Sequence, residues 1–109
     1  MNGCANLIKL QKETLLSNCY SNTTGSPHPV ERAKGWTYSI EATGSADVTV
    51  DIEAYIGTNW YSIHQEVITT AGNYMVRDDE GHYEKLRAVT SNYSDGTINV
   101  YATGTTQSL

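Results

Sequence analysis

The chain has no phenylalanine, only two prolines and two cysteines, and seven lysines and arginines against twelve aspartates and glutamates. Each shortage excludes something. A formal charge of −5 leaves no basic surface to displace phosphate counterions, which argues against a nucleic-acid interface and against docking on anionic membranes. Apolar runs are broken within a few positions, far short of the roughly 20 residues that a membrane-spanning helix needs. A secretory pattern is missing as well, because Leu7, Ile8 and Leu10 are interrupted by Lys9 and followed by Gln11-Lys12-Glu13. The expected compartment is therefore a cytoplasm. Cys4 and Cys19 are separated by fourteen residues and are expected as reduced thiols, with a disulfide as the alternative. With His28 they are too few for a zinc site.

Catalytic patterns are short too. The sequence holds no Gly-x-Ser-x-Gly, no His-Glu-x-x-His and no glycine loop of the phosphate-cradling kind. His28, His64 and His82 form no pair at metal-ligand spacing. His64 and Glu66, two apart on one strand, are the best acid–base pair, yet an exposed polar strand face produces such pairs by chance. Asp78-Asp79-Glu80 with Gly81 gathers carboxylates but lacks the alternating ligands of a calcium loop, and reads as a solvated hairpin turn. The expectation is a non-enzyme with no catalytic residue, no cofactor and no metal.

What the sequence does have is alternation. Ala46, Val48, Val50, Ile52 and Ala54 interleave with Asp47, Thr49, Asp51 and Glu53 without an error, so one strand face is buried and the other wet. Trp36, Tyr38, Ile40 and Ala42 form a second such face, and Leu86, Ile98 and Val100 belong to later strands. With Trp60 these define the expected core: Trp36, Tyr38, Ile40, Val48, Val50, Ile52, Trp60, Leu86, Ile98 and Val100. Turns are expected at Thr43-Gly44-Ser45, at Ile56–Asn59, at Asp78–Gly81 and at Ser91–Gly96.

The resulting fold class is all-β, an antiparallel two-sheet β-sandwich of about seven or eight short strands. A jelly roll and an immunoglobulin-like Greek key both fit the pattern. Residues 1–34 are read as an N-terminal arm or edge strand with a Pro-rich loop, 35–104 as the sandwich, and 105–109 as a loose tail. Eight tyrosines supply rings with one wet end. Tyr55, Tyr61, Tyr93 and Tyr101, with the strand-face acids Asp51 and Glu53, are the candidate partner contacts.

A further pattern runs over residues 36 to 102, about two thirds of the chain. A Gly-bounded alternating strand leads to Gly57-Thr58-Asn59-Trp60. Then come Ala71-Gly72-Asn73-Tyr74, Leu86-Arg87-Ala88 and Gly96-Thr97-Ile98-Asn99-Val100. This cadence resembles small virion proteins of tailed bacteriophages. The resemblance implies a jelly-roll decoration or cement protein that sits as a trimer over junctions of the major capsid protein and is located in the virion. It carries no catalytic residue. A neck, tail or baseplate part, or a carbohydrate- or receptor-binding module, would use the same kind of fold.

Overall fold

A computed structural model describes the backbone of residues 7–108 and the side chains of residues 10–106. Alternating residues build seven strands: β1 (Leu7–Cys19), β2 (Thr23–Thr24), β3 (His28–Pro29), β4 (Lys34–Ile56), β5 (Asn59–Ile68), β6 (Gly72–His82) and β7 (Lys85–Ser108). All pairings are antiparallel. The spine is the pair of long strands β4 and β7, of 23 and 24 residues, which pair from Lys34↔Thr105 to Tyr55↔Lys85 with register shifts near Gly35 and at a central corner.

The other strands attach to one half of that spine or the other. β6 borders the first half of β4, over Lys34–Ala42, and β5 borders the second, over Val48–Ile56. β1 lies beside the second half of β7, while β2 and β3 lie beside its first half. Two layers result, β1-β7-β4-β6 and β2/β3-β7-β4-β5, and both long strands belong to both. The layers touch directly. A side chain added at Gly25 would meet Leu15 O of the first layer at 2.9 Å and Ala88 O of the second at 2.8 Å. The molecule measures 53 × 32 × 19 Å, and its short dimension suits two sheets packed about 10 Å apart.

One core fills the space between the layers. Trp36, Tyr38, Ile40, Val48, Val50, Ile52, Leu86, Ile98 and Val100 are all exposed by 2% or less, joined by Leu15, Val30 and Ile68. Trp60, expected among them, is only half-buried and lies outside the core.

Two expected turns prove to be bends inside strands. Thr43-Gly44-Ser45 lies within β4 and Ser91–Gly96 within β7, where the ladder shifts register between Thr43, Asp47 and Thr49. Turn-forming residues are present because the corner needs the same left-handed backbone: φ is 77° at Gly44, 51° at Asn92 and 97° at Gly96. Hydrogen bonds brace it, with Tyr93 Oη donating to Gly96 O at 2.8 Å and Tyr93 N donating to Asn22 Oδ1 at 2.9 Å. Ile56–Asn59 is a hairpin, closed around Gly57 and Thr58. Asp78–Gly81 is strand, not turn; the chain reverses at Tyr83 and Glu84 instead.

The ends of the chain are part of the sheet. β1 pairs with β7 from Leu7↔Ser108 to Cys19↔Ile98, so residues 105–108, expected as a loose tail, continue a strand. Leu15, Leu16 and Cys19 of β1 are buried, so residues 7–19 form an edge strand rather than a detached arm. The Cys19 thiol is free and buried, 3.3 Å from Ser21 O and 3.5 Å from Thr90 Oγ1. Cys4 lies outside the described residues.

The corner can be tested by a matched pair of substitutions. A methyl group at Gly96 would come within 2.6 Å of Ala46 Cα and 2.9 Å of Thr43 O, whereas one at Gly57 meets nothing within 4 Å. Both glycines have positive φ. Gly57→Ala should cost only the backbone strain, about 1–2 kcal/mol, and Gly96→Ala should cost about 1–3 kcal/mol more through overpacking. Urea unfolding of the two variants measures the difference.

Candidate functional site

Inward positions fix outward ones. Ile52 and Ala54 point into the core, so Asp51, Glu53 and Tyr55 of β4 point away from it. Their neighbours follow from register. Glu53 lies opposite Ser62 on β5 and Arg87 on β7; Tyr55 lies opposite Trp60 and Lys85. Five of these residues meet on one outer face. Arg87 Nε donates to Glu53 Oε1 at 2.7 Å, and the guanidinium stands over the Trp60 ring, 4.1 Å from its centroid. Trp60 in turn contacts Tyr55 edge-on, with centroids 5.3 Å apart and planes at 62°. Lys85 Nζ lies 5.0 Å from the centre of the Tyr55 ring. Asp51 Oδ1 accepts from Ser62 Oγ at 2.8 Å and Gln65 Nε2 at 3.1 Å.

The arrangement is a ladder of aromatic and charged groups in mutual contact on one sheet face. Both partners of the Arg87–Glu53 pair are about a fifth exposed, so the pair is shielded from salt more than a surface pair would be. Stacked rings and a planar cation are held before any partner arrives, and docking then costs little side-chain entropy. Trp, Tyr and Arg are the residue types that dominate protein–protein contacts. The face thus concentrates residue types common in protein contacts.

The candidate contacts divide between places. Asp51, Glu53 and Tyr55 fall on this face; Tyr61, opposite the inward Ala54, is on the other side of β5 from Trp60 and is 51% exposed. Tyr101 lies on the other layer, its hydroxyl donating to Glu41 Oε1 at 3.3 Å; burial and the adjacent carboxylate raise its pKa. Tyr93 packs against the core at the corner. His64 and Glu66 do pair, at 3.2 Å, but on the inward side of β5 opposite Ile52 and Val50. Among the described residues no group of three His, Cys, Asp or Glu side chains could hold a metal ion.

Sequence reasoning missed Trp60, Lys85 and Arg87 as face residues. The signal was available: with Leu86 and Ala88 inward, Lys85 and Arg87 must be outward. A two-residue loop at Gly57-Thr58 likewise puts Trp60 opposite Tyr55.

No family model matches the sequence, and no curated protein matches it. Solved structures share the fold. The SPBc2 prophage-derived protein YomS superposes with a TM-score of 0.69 at 12% identity, covering 96% of this chain and 100% of its own. A protein of the Bacillus endospore appendages, described as forming a novel family of disulfide-linked pili, superposes with a TM-score of 0.59 at 12% identity. That match covers 99% of this chain and 98% of its own. At such identity the likeness shows the fold and nothing finer.

The two tryptophans separate the core from the face. Trp36→Ala should cost about 3–5 kcal/mol by opening a cavity. Trp60→Ala should cost about 1–2 kcal/mol, the loss of one ring pair and one cation–π contact. Chemical unfolding of both variants reads the contrast, and equal losses would place Trp60 back in the core.

Proposed function

We propose that this chain is a capsid decoration, or cement, protein of a tailed phage, which binds over junctions of the major capsid protein and stabilises the head. The observation that carries the reading is the Tyr55–Trp60–Arg87–Glu53 face, whose residue types suit a protein partner and which lies on the central strands β4 and β7 and on β5 beside them. A fold shared with a prophage-derived protein supports it. So does the charge of −5, which suits neither nucleic acid nor anionic lipid as the partner. In this reading the protein assembles as a trimer on the shell and resides in the virion. Part of its stability then comes from the lattice it covers.

A neck, tail or baseplate component would share these features and differ in copy number. A glycan-binding module is less well supported, because Arg87 covers a face of the Trp60 ring that a sugar would stack on.

Mixing the purified protein with empty phage shells tests the proposal. Saturation at hundreds of copies per particle is the expected result, with binding lost in Arg87→Glu assayed well below its melting temperature, which loss of the Glu53 pair and the Trp60 contact lowers. A protein that ignores shells, or a variant that binds as well as wild type, would overturn it. Saturation at a handful of copies would move the protein to the neck or tail.

A further inference from the structure

β6 breaks its own alternation. Its inward positions run Tyr74, Val76 and then Asp78, an acid where the pattern calls for an apolar residue. Asp78 faces a cavity of about 350 Å³ between β5 and β6, walled by Ile63 and Val76 and lined by Tyr38, Tyr83 and His64. The two tyrosine hydroxyls donate to the same carboxylate oxygen: Tyr38 Oη reaches Asp78 Oδ2 at 3.2 Å and Tyr83 Oη reaches it at 2.6 Å. Among the described residues none donates to Asp78 Oδ1.

Donor bookkeeping identifies what belongs there. Each tyrosine has spent its one proton on Asp78 and presents only lone pairs. The carboxylate is acceptor-only. His64 Nε2 lies 3.2 Å from Glu66 Oε1, so that ring nitrogen is already engaged within β5. Asp78 and the two tyrosine oxygens thus offer the cavity acceptors and a negative charge. Arg77, at the rim, is no substitute, because it is exposed and paired with Asp79 at 3.2 Å.

We propose that the cleft between β5 and β6 is a binding site for a primary alkylammonium group, with Asp78 as its counter-ion. An ammonium brings three donors and no acceptor, which is the complement of the lining. A guanidinium fork fits less well, since one carboxylate oxygen already takes two hydrogen bonds and a bidentate grip needs both. Ile63 and Val76 supply apolar walls for the alkyl stem. A partner's lysine side chain and a free polyamine present this same group. The site does not depend on the outer docking face.

Titration of the full chain with n-butylammonium chloride, followed by NMR of the Tyr38 and Tyr83 ring signals, tests it at constant ionic strength. Saturable shifts are expected with butylammonium and none with n-butanol. Asp78→Asn should weaken binding by about tenfold or more. Should that variant fail to fold, the wild-type comparison decides alone. Absent saturation, equal shifts from butanol, or undiminished binding by a folded Asp78→Asn protein would each overturn the proposal. With the site established, Nα-acetyl-lysine methylamide that reproduces the shifts identifies a protein lysine as the ligand. Spermidine binding without it identifies a polyamine.

Discussion

Antiparallel pairing between β4 and β7 is the constraint from which the rest of the molecule follows. Each of these strands crosses from one layer to the other, so the two sheets are halves of one folded ladder. Every remaining strand pairs with β4 or β7. Because strand side chains alternate with a period of two, an inward position in β4 dictates the inward positions of both neighbours. The parity survives the corner: Trp36, Tyr38, Ile40 and Ala42 before it and Ala46 to Ala54 after it all face one core. That continuity requires a corner with no side chain at Gly96, where an added methyl would lie 2.6 Å from Ala46 Cα.

Much of this was legible as alternation. The polar and apolar residues of 46–54 declare a half-buried strand, and most of the residues expected inside are inside. Connectivity was less legible, for a physical reason. Gly, Asn and Asp are favoured wherever φ is positive, and a bulged corner within a strand needs positive φ as much as a turn does. Thr43–Ser45 and Ser91–Gly96 therefore carry turn chemistry without reversing the chain. At Asp78–Gly81 the error has another source. A run of charged residues looks solvated, yet Asp78 points inward and is satisfied by two tyrosines, Tyr83 five residues on and Tyr38 far away in sequence. Trp60 was misplaced by size: a large ring suggests core, whereas register to Tyr55 puts it on the surface.

The docking face and the cleft use polar groups in opposite ways. On the outer face, acid and base are matched within the chain, Glu53 with Arg87 and Asp51 with Ser62 and Gln65. Such a face presents shape and ring surface with its charge already balanced, so a partner meets it without a large desolvation cost for unpaired ions. Inside the cleft, no cation among the described residues pairs with Asp78. Two hydroxyl donors make the carboxylate tolerable in a half-buried place, and burial together with that carboxylate pushes the pKa of Tyr38 and Tyr83 well above the ordinary tyrosine value. The negative charge therefore sits between tyrosines that resist ionising and cannot relieve it by becoming anions themselves.

These two features also differ in what a partner would do to the fold. Glu53, Tyr55, Lys85 and Arg87 belong to the central strands, whose other faces carry Ile52, Ala54, Leu86 and Ala88 at essentially no exposure. A protein bound there presses on the part of the sheet least able to move, and its binding energy is not spent on ordering. The cleft instead lies between β5 and β6, each paired on one side only and each in a different layer. A cation seated between Asp78 and His64 would tie together two edges that share no ladder hydrogen bond, and so would act on the opening of the sandwich itself.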